Sequence, residues 1–359
     1  MSNLKNFQAL LIENGYDAAI ITDQLNQQYL SGFEFHDGAV LVLQSAAYLL
    51  TDFRYVEAAK EQACADMQVL TPEAGALDAI RTLLGENNCS HVAIEEDALS
   101  FAAFERYRSA LVGVTLVGGA SALLMRLRLH KSDEELEAMA RAQSITDAAF
   151  AHILKVLTPE MTEVDVALEL EFFMRRQGAQ GLAFETIAVS GTNSSRPHGV
   201  PRPVKLEKGF LTMDFGARVD GYCSDMTRTV VLGRADEELK KIYQTVLTAQ
   251  TVALDAAAEG VSCFSLDAAA RGVIHGAGYK GCFGHSLGHG VGMLVHEKPN
   301  LSPKADPASV LERGHVVTFE PGIYVEGKCG CRIEDMVAVA NDGSIRNFTK
   351  SPKELIELF

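Results

Sequence analysis

Basic runs, long apolar runs and paired-cysteine motifs are all missing from this chain of 359 residues. Acidic residues outnumber basic ones, 47 to 32, which leaves a net charge of −15. A chain so acidic repels phosphate backbones and anionic bilayers unless it carries a basic groove, and no cluster of Lys or Arg supplies one. Nucleic acids and membranes are therefore not expected partners. The longest apolar region, Gly38 to Leu50, is interrupted by Gln44 and Ser45, whereas crossing a bilayer takes about 20 apolar residues. The opening segment, MSNLKNFQALLIENGYDAA, has no basic stretch followed by a long apolar one, so no secretory leader is expected. The seven cysteines are odd in number and scattered. Only Cys329 and Cys331 are close, and one intervening residue is neither a zinc-finger nor a thioredoxin spacing. Reduced thiols in a cytoplasmic protein are the expectation.

What is present is the balance of a globular protein with a real core, 47% apolar and 22% charged. The length predicts two domains. Short apolar runs at Asp17–Thr22, Ala39–Leu43, Tyr48–Thr51 and His91–Glu95 read as strands. Helical patterns at Asn3–Asn14, Tyr55–Ala65 and Leu77–Gly85 alternate with them, predicting a small α/β domain with a mixed or parallel sheet. The texture changes near residue 125, and the boundary is set between residues 124 and 125. Ser132 with Glu135 forms a capping-box pattern opening a helix to about Val156. Thr162 with Asp165 opens another, running to Gly178. Beyond Phe210 the chain reads as β-rich, with helical blocks at Glu237–Glu259 and Ser265–Gly276 and sheet segments at His315–Phe319 and Cys331–Ala340.

Asp220-Gly221 lies between the apolar segments Phe210–Val219 and Tyr222–Leu232 and predicts a two-residue hairpin loop. That register sets Asp214 opposite Thr227 and Asp225 opposite Gly216. The two aspartates then share a face, and two such carboxylates coexist only if one is protonated or a cation lies between them. Gly216 is expected to leave space for that ion. Glu320 and Glu334 are embedded in apolar strand patterns, where an acid is costly unless paired or bound to metal. The loop from Glu326 to Gly330 is expected to fold them side by side. His285, His289 and His296 crowd one glycine-rich segment, and His198 lies in a Pro/Gly loop. His36, His91, His130, His152, His275 and His315 read as ordinary packing or surface histidines. Four carboxylates with one imidazole suit hard or borderline divalent ions such as Mn²⁺, Co²⁺ or Zn²⁺.

These segments resemble a known family. Asp214-Phe-Gly-Ala, the run from Asp220 to Thr229, Gly284-His-Ser-Leu-Gly-His-Gly-Val-Gly, Glu320-Pro-Gly-Ile-Tyr and Arg332-Ile-Glu-Asp are similar to the signature of pita-bread metallopeptidases. Within it the chain looks like the aminopeptidase P and prolidase branch, which the run from Phe184 to Gly199 also fits. Asn26–Phe33 and Thr51–Tyr55 resemble that branch's creatinase-like N-terminal domain. The resemblance implies an α/β creatinase-like domain over 1–124 and an α+β pita-bread domain over 125–359. It implies two divalent ions, Mn²⁺ first and Co²⁺ or Zn²⁺ next, on Asp214, Asp225, His289, Glu320 and Glu334. It implies that His198, His285 and His296 contact substrate and stabilise the tetrahedral intermediate, that Arg332 orients acids, that Phe184 lines a proline slot, and that Glu320 moves protons. Peptides with proline in second position would be the substrates, and a homodimer the assembly.

Two departures bear on the substrate. Cys329 and Cys331 stand where small or aliphatic residues are expected, putting thiols near the site. Asn300 stands where some prolidases carry an arginine for a dipeptide's carboxylate, which tips the expectation from dipeptidase to Xaa-Pro aminopeptidase. A non-catalytic pita-bread binding protein is the rival from another class, disfavoured by the intact ligand set.

Overall fold

The computed structural model describes residues 2–359, in two compact units, one ending at Arg128 and one running from Leu129 to Phe359. Each unit has its own core. Among the described residues, no helix is long and apolar enough to cross a membrane.

The first unit alternates helices α1 (Asn3–Glu13), α2 (Gln24–Ser31), α3 (Val56–Gln62), α4 (Ala76–Glu86), α5 (Phe101–Ala110) and α6 (Ala120–Leu129) with six strands. These are β1 (Ala18–Ile21), β2 (Gly38–Leu43), β3 (Ala47–Thr51), β4 (Gln68–Leu70), β5 (His91–Ile94) and β6 (Thr115–Gly118). They form one sheet in the order β4-β3-β2-β1-β5-β6. The pairs β1–β2 and β2–β3 are antiparallel, whereas β3–β4, β1–β5 and β5–β6 are parallel, so the sheet is mixed, as its apolar runs predict. Every residue of β1 is buried, which is why Ala18–Ile21 reads as an unbroken apolar run rather than an alternating one.

The second unit opens with α7 (Asp133–Val156) and α8 (Glu163–Arg176); α7 starts on the expected Ser132 capping box, and the expected Thr162 N-cap of α8 proves to be a capping box too. Then come β7 (Gly181–Leu182), β8 (Ile187–Ser190), β9 (Gly209–Phe215), β10 (Ala217–Val219), β11 (Tyr222–Cys223) and β12 (Met226–Leu232). Helices α9 (Glu237–Asp255) and α10 (Cys263–Gly276) follow. The rest is β13 (Gly288–Gly290), β14 (Glu297–Leu301), β15 (Val316–Phe319), β16 (Gly322–Val325), β17 (Cys329–Arg332), β18 (Asp335–Val339), β19 (Ile345–Asn347) and β20 (Glu357–Leu358). The main sheets run β20-β12-β9-β8 and β14-β13-β15-β18-β19.

Strand alternation along β9 and β12 feeds two of this unit's cores. Leu211, Met213 and Phe215 of β9, with Met226, Val230 and Leu232 of β12, pack on α7 and α8. Phe210 and Val231 point the other way, into the core built on α9 and α10. Thr212, Asp214, Thr227 and Thr229 occupy the same face as Phe210 and Val231, because side chains two apart along a strand share a face. Polar residues on an otherwise apolar face mark where the site is built.

Candidate active site

All ten side chains expected to do chemistry line one cavity of about 430 Å³. The β9–β12 pairing sets Thr227 opposite Asp214, as the Asp-Gly loop predicts. Asp220 (φ 50°) and Gly221 (φ 81°) both take left-handed backbone, the requirement of a tight hairpin turn. One expectation is corrected. Gly216 leaves no space for an ion, because a Cβ there would lie 2.0 Å from the Ser224 carbonyl oxygen. Its missing side chain admits the backbone of the opposite strand, and the ladder breaks at Ser224 and Asp225.

Glu320 and Glu334 occupy a second gap between ladders. Phe319 of β15 faces Asp335 of β18, and Gly322 of β16 faces Arg332 of β17, so the two acids lie across from each other between the paired stretches. The Glu320 N–H donates to the Leu287 carbonyl (2.8 Å), and the Glu334 N–H to the Thr227 carbonyl (3.1 Å). The Thr227 hydroxyl also donates to Glu334 Oε2 at 2.6 Å. These bonds tie the Glu segments to both the histidine segment and the Asp hairpin.

His289 sits on β13. Its Nδ1 lies 3.0 Å from the Gly290 carbonyl, which fixes the hydrogen on Nδ1 and leaves the Nε2 lone pair facing the acids. Nε2 is 3.3 Å from Glu320 and 3.6 Å from Asp225. Ligand atoms of Asp225, His289 and Glu334 all lie within 4.8 Å of one another. Asp214 stands apart from that trio, bonded through Oδ2 to Arg332 Nη2 at 2.6 Å. Arg332 also donates to Thr227 Oγ1 (2.9 Å) and to the Tyr324 hydroxyl (2.7 Å).

Burial and mutual repulsion dominate the electrostatics. Burial pushes Glu320 up to about 8, with Asp214 adding to the rise and Arg332 opposing it. Asp225 is driven well above the carboxylate range by burial, then by Glu334, Asp214 and Glu320. Glu334 is raised by burial, then by Glu320 and Asp214. Burial lowers His289 to about 4 and His285 to about 3, keeping both imidazoles neutral. Four acids, with exposed Glu185 on the wall as a fifth, thus share one cavity with a single guanidinium, and Asp214 Oδ1 is buried with no hydrogen-bond partner. Carboxylate oxygens in excess, an orphaned acceptor and a neutral imidazole lone pair are the donor set that divalent cations require.

His198 and His296 are exposed on the cavity wall, and the His296 ring lies 4.3 Å from that of His289. Phe184 is half-buried there. His285 differs from expectation in one respect: both its ring nitrogens are engaged, Nδ1 with the Ser286 carbonyl (2.8 Å) and Nε2 with the Tyr324 hydroxyl (2.9 Å). Tyr324 and Thr227 were given no role by sequence reasoning. Tyr324 had a legible signal, since alternation along β16 and β17 sets it diagonal to Arg332 on one face. Arg271 was also missed. It bonds Asp267 (2.8 Å) and the His285 carbonyl (2.9 Å), holding the histidine segment from α10.

Residues 137–341 match the model of metallopeptidase family M24, and residues 3–130 match the creatinase/prolidase N-terminal domain. An Xaa-Pro dipeptidase from Bacillus anthracis is similar in structure, with a TM-score of 0.93 and 39% identity over 99% of both chains. An X-Pro aminopeptidase from Thermotoga maritima gives a TM-score of 0.90 at 35% identity, over 96% of this chain and 98% of that one. The Xaa-Pro dipeptidase of Pyrococcus horikoshii is 34% identical over 361 residues, 98% of each chain.

Proposed function

The chain belongs to metallopeptidase family M24, with a creatinase-like N-terminal domain ahead of the pita-bread domain, and from that premise we propose that it hydrolyses the bond between an N-terminal residue and proline. The observation that carries the reading is the convergence of four acids and a neutral imidazole on one cavity. The proposed ligands are Asp214, Asp225, His289, Glu320 and Glu334, holding two divalent ions, Mn²⁺ first and Co²⁺ or Zn²⁺ next. Bound there, the ions supply Lewis acidity for the scissile carbonyl and lower the pKa of an attacking water.

The chain's own residues do the rest. A peptide nitrogen in proline carries no N–H and leaves only when protonated. Glu320 would take a proton from the attacking water and deliver it to that nitrogen. His198 and His296 contact substrate and stabilise the charge that develops on the carbonyl oxygen. His285 contributes through Tyr324 and Arg332, which keep Asp214 in place. Phe184 offers the proline ring an apolar wall.

Asn300, opposite His289, favours the aminopeptidase reading over the dipeptidase one. Arg332 is the only Lys or Arg lining the cavity among the described residues, and it is committed to Asp214. A dipeptide's carboxylate therefore finds no free guanidinium or ammonium. The names of the B. anthracis and P. horikoshii relatives favour dipeptidase as the second reading. The proposal includes a boundary after residue 124, a homodimer, and a cytoplasmic location, which the seven free thiols support. Manganese-loaded protein should be given a panel of Xaa-Pro dipeptides and Xaa-Pro-Yaa tripeptides. Preferred release of the first residue from the tripeptides is expected, preference for dipeptides selects the second reading, and cleavage of neither refutes both.

A further inference from the structure

Outside the catalytic cavity, His130, Glu312 and His315 bring two imidazoles and a carboxylate together, and we propose that they form a separate zinc site of the second unit. Ligand atoms of the three lie within 4.8 Å of one another. Two nitrogens and one oxygen, with a remaining position open to water, are a donor set that zinc accepts. Nothing in the residue order points to this cluster, because His130 is separated from the other two by more than half of the unit.

The backbone holds the two segments in register. The Lys131 N–H donates to the Gly314 carbonyl (3.0 Å), the Gly314 N–H to the Val339 carbonyl (2.8 Å), and the His315 N–H to the Glu312 carbonyl (3.0 Å). Gly314 has a φ of +82°, and a Cβ there would lie 2.8 Å from the Lys131 nitrogen. Glycine is thus required for the approach that brings His130 to the turn.

His130 is oriented as a ligand, and His315 becomes one on a change of tautomer. His130 Nδ1 lies 3.0 Å from the Arg313 carbonyl. The hydrogen is therefore on Nδ1, and the Nε2 lone pair is left 3.7 Å from Glu312 Oε2. Orientation by a backbone carbonyl is how proteins commonly fix a metal-binding imidazole. His315 is buried and its ring lies 5.1 Å from that of His130. Burial, with His130 and Lys131 nearby, holds its pKa at about 4, so it is neutral. The Glu312 N–H donates to His315 Nδ1 at 3.2 Å, which leaves the ring hydrogen on Nε2. Ligation through Nε2 moves that hydrogen to Nδ1 and gives up this one contact, with no net proton released.

All three residues line a cleft of about 560 Å³ that shares Asn300 with the catalytic cavity. The cluster is therefore reachable from solvent and distinct from the catalytic acids. Its nitrogen content selects zinc over manganese, whereas the oxygen-rich catalytic set accepts manganese. An ion there would join the start of the second unit to the turn that feeds β15, the strand that ends one residue before Glu320.

The test is zinc content. Untagged wild type and the double variant His130→Ala, Glu312→Gln are equilibrated with zinc chloride at micromolar free concentration, and bound zinc per chain is counted by plasma mass spectrometry. Both substituted side chains are exposed, so the core is left intact. The variant is expected to hold one zinc ion fewer than wild type, and equal zinc content in the two proteins overturns the site. The difference reads this site alone, because the catalytic residues are the same in both proteins.

Discussion

Thr227 shows how much a single side chain carries. Its hydroxyl donates to Glu334 (2.6 Å) and accepts from Arg332 Nε (2.9 Å), linking one proposed ligand to the cation that holds another. Thr227→Val keeps the shape and removes both bonds. Removing such a supporting partner typically costs 10- to 100-fold in metal affinity or activity, so a loss of about 10- to 100-fold is expected. Arg332 Nε would lose a buried partner, and a stability loss of about 1–3 kcal/mol is expected in urea melts. Unchanged manganese affinity and turnover would remove Thr227 from the machinery. Residues of this kind are hard to read in a sequence, because a threonine in a β-rich run is the ordinary choice for packing alone. Asp225, by contrast, was legible, since an acid within a predicted hairpin is costly unless something offsets its charge.

At the scale of elements, legibility followed the range of the determining contacts. The Ser132 capping box, the Thr162 N-cap and the Asp220-Gly221 hairpin rest on residues within a few positions of each other, and all formed as expected. Strands β13 and β20 were not assigned. Gly288–Gly290 has no strand propensity of its own and is a strand only because β14 and β15 flank it. Glu357–Leu358 is two residues long and pairs in parallel with β12, more than a hundred positions away. Gly216 shows the same limit, as its role depends on the Ser224 carbonyl opposite. The β13–β15 contact gives a prediction. A Cβ at Gly288 would lie 1.9 Å from the Thr318 carbonyl oxygen, whereas one at Gly284 meets nothing within 4 Å. Gly288→Ala is expected to destabilise by about 1–3 kcal/mol through overpacking and to displace His289. Gly284→Ala should melt like wild type. Equal melting curves for the two variants would contradict the close approach.

At the scale of the whole molecule, the acid cluster links folding to pH and to metal. Without metal, Glu320 in the folded chain holds its proton up to about 8, against an ordinary value of 4.5. The folded state therefore binds more protons than the unfolded state between those values, and stability falls as pH rises through them. Asp225 and Glu334 are raised too and act in the same direction. His285 and His289, lowered from 6.5, lose stability as pH falls below 6.5. Between pH 6.5 and 8 the acids act without them. Metal-stripped protein should show a Tm that declines across that window, and manganese should remove the decline. Tm profiles that run parallel with and without manganese would refute the linkage.

These buried acids belong together only around cations. Manganese content and Xaa-Pro-Yaa hydrolysis, measured side by side on wild type and Asp225→Asn, test it most directly. Wild type is expected to hold two manganese ions per chain and turn over, and the variant to lose both metal and turnover. A variant that loads manganese and cleaves as wild type does would contradict it.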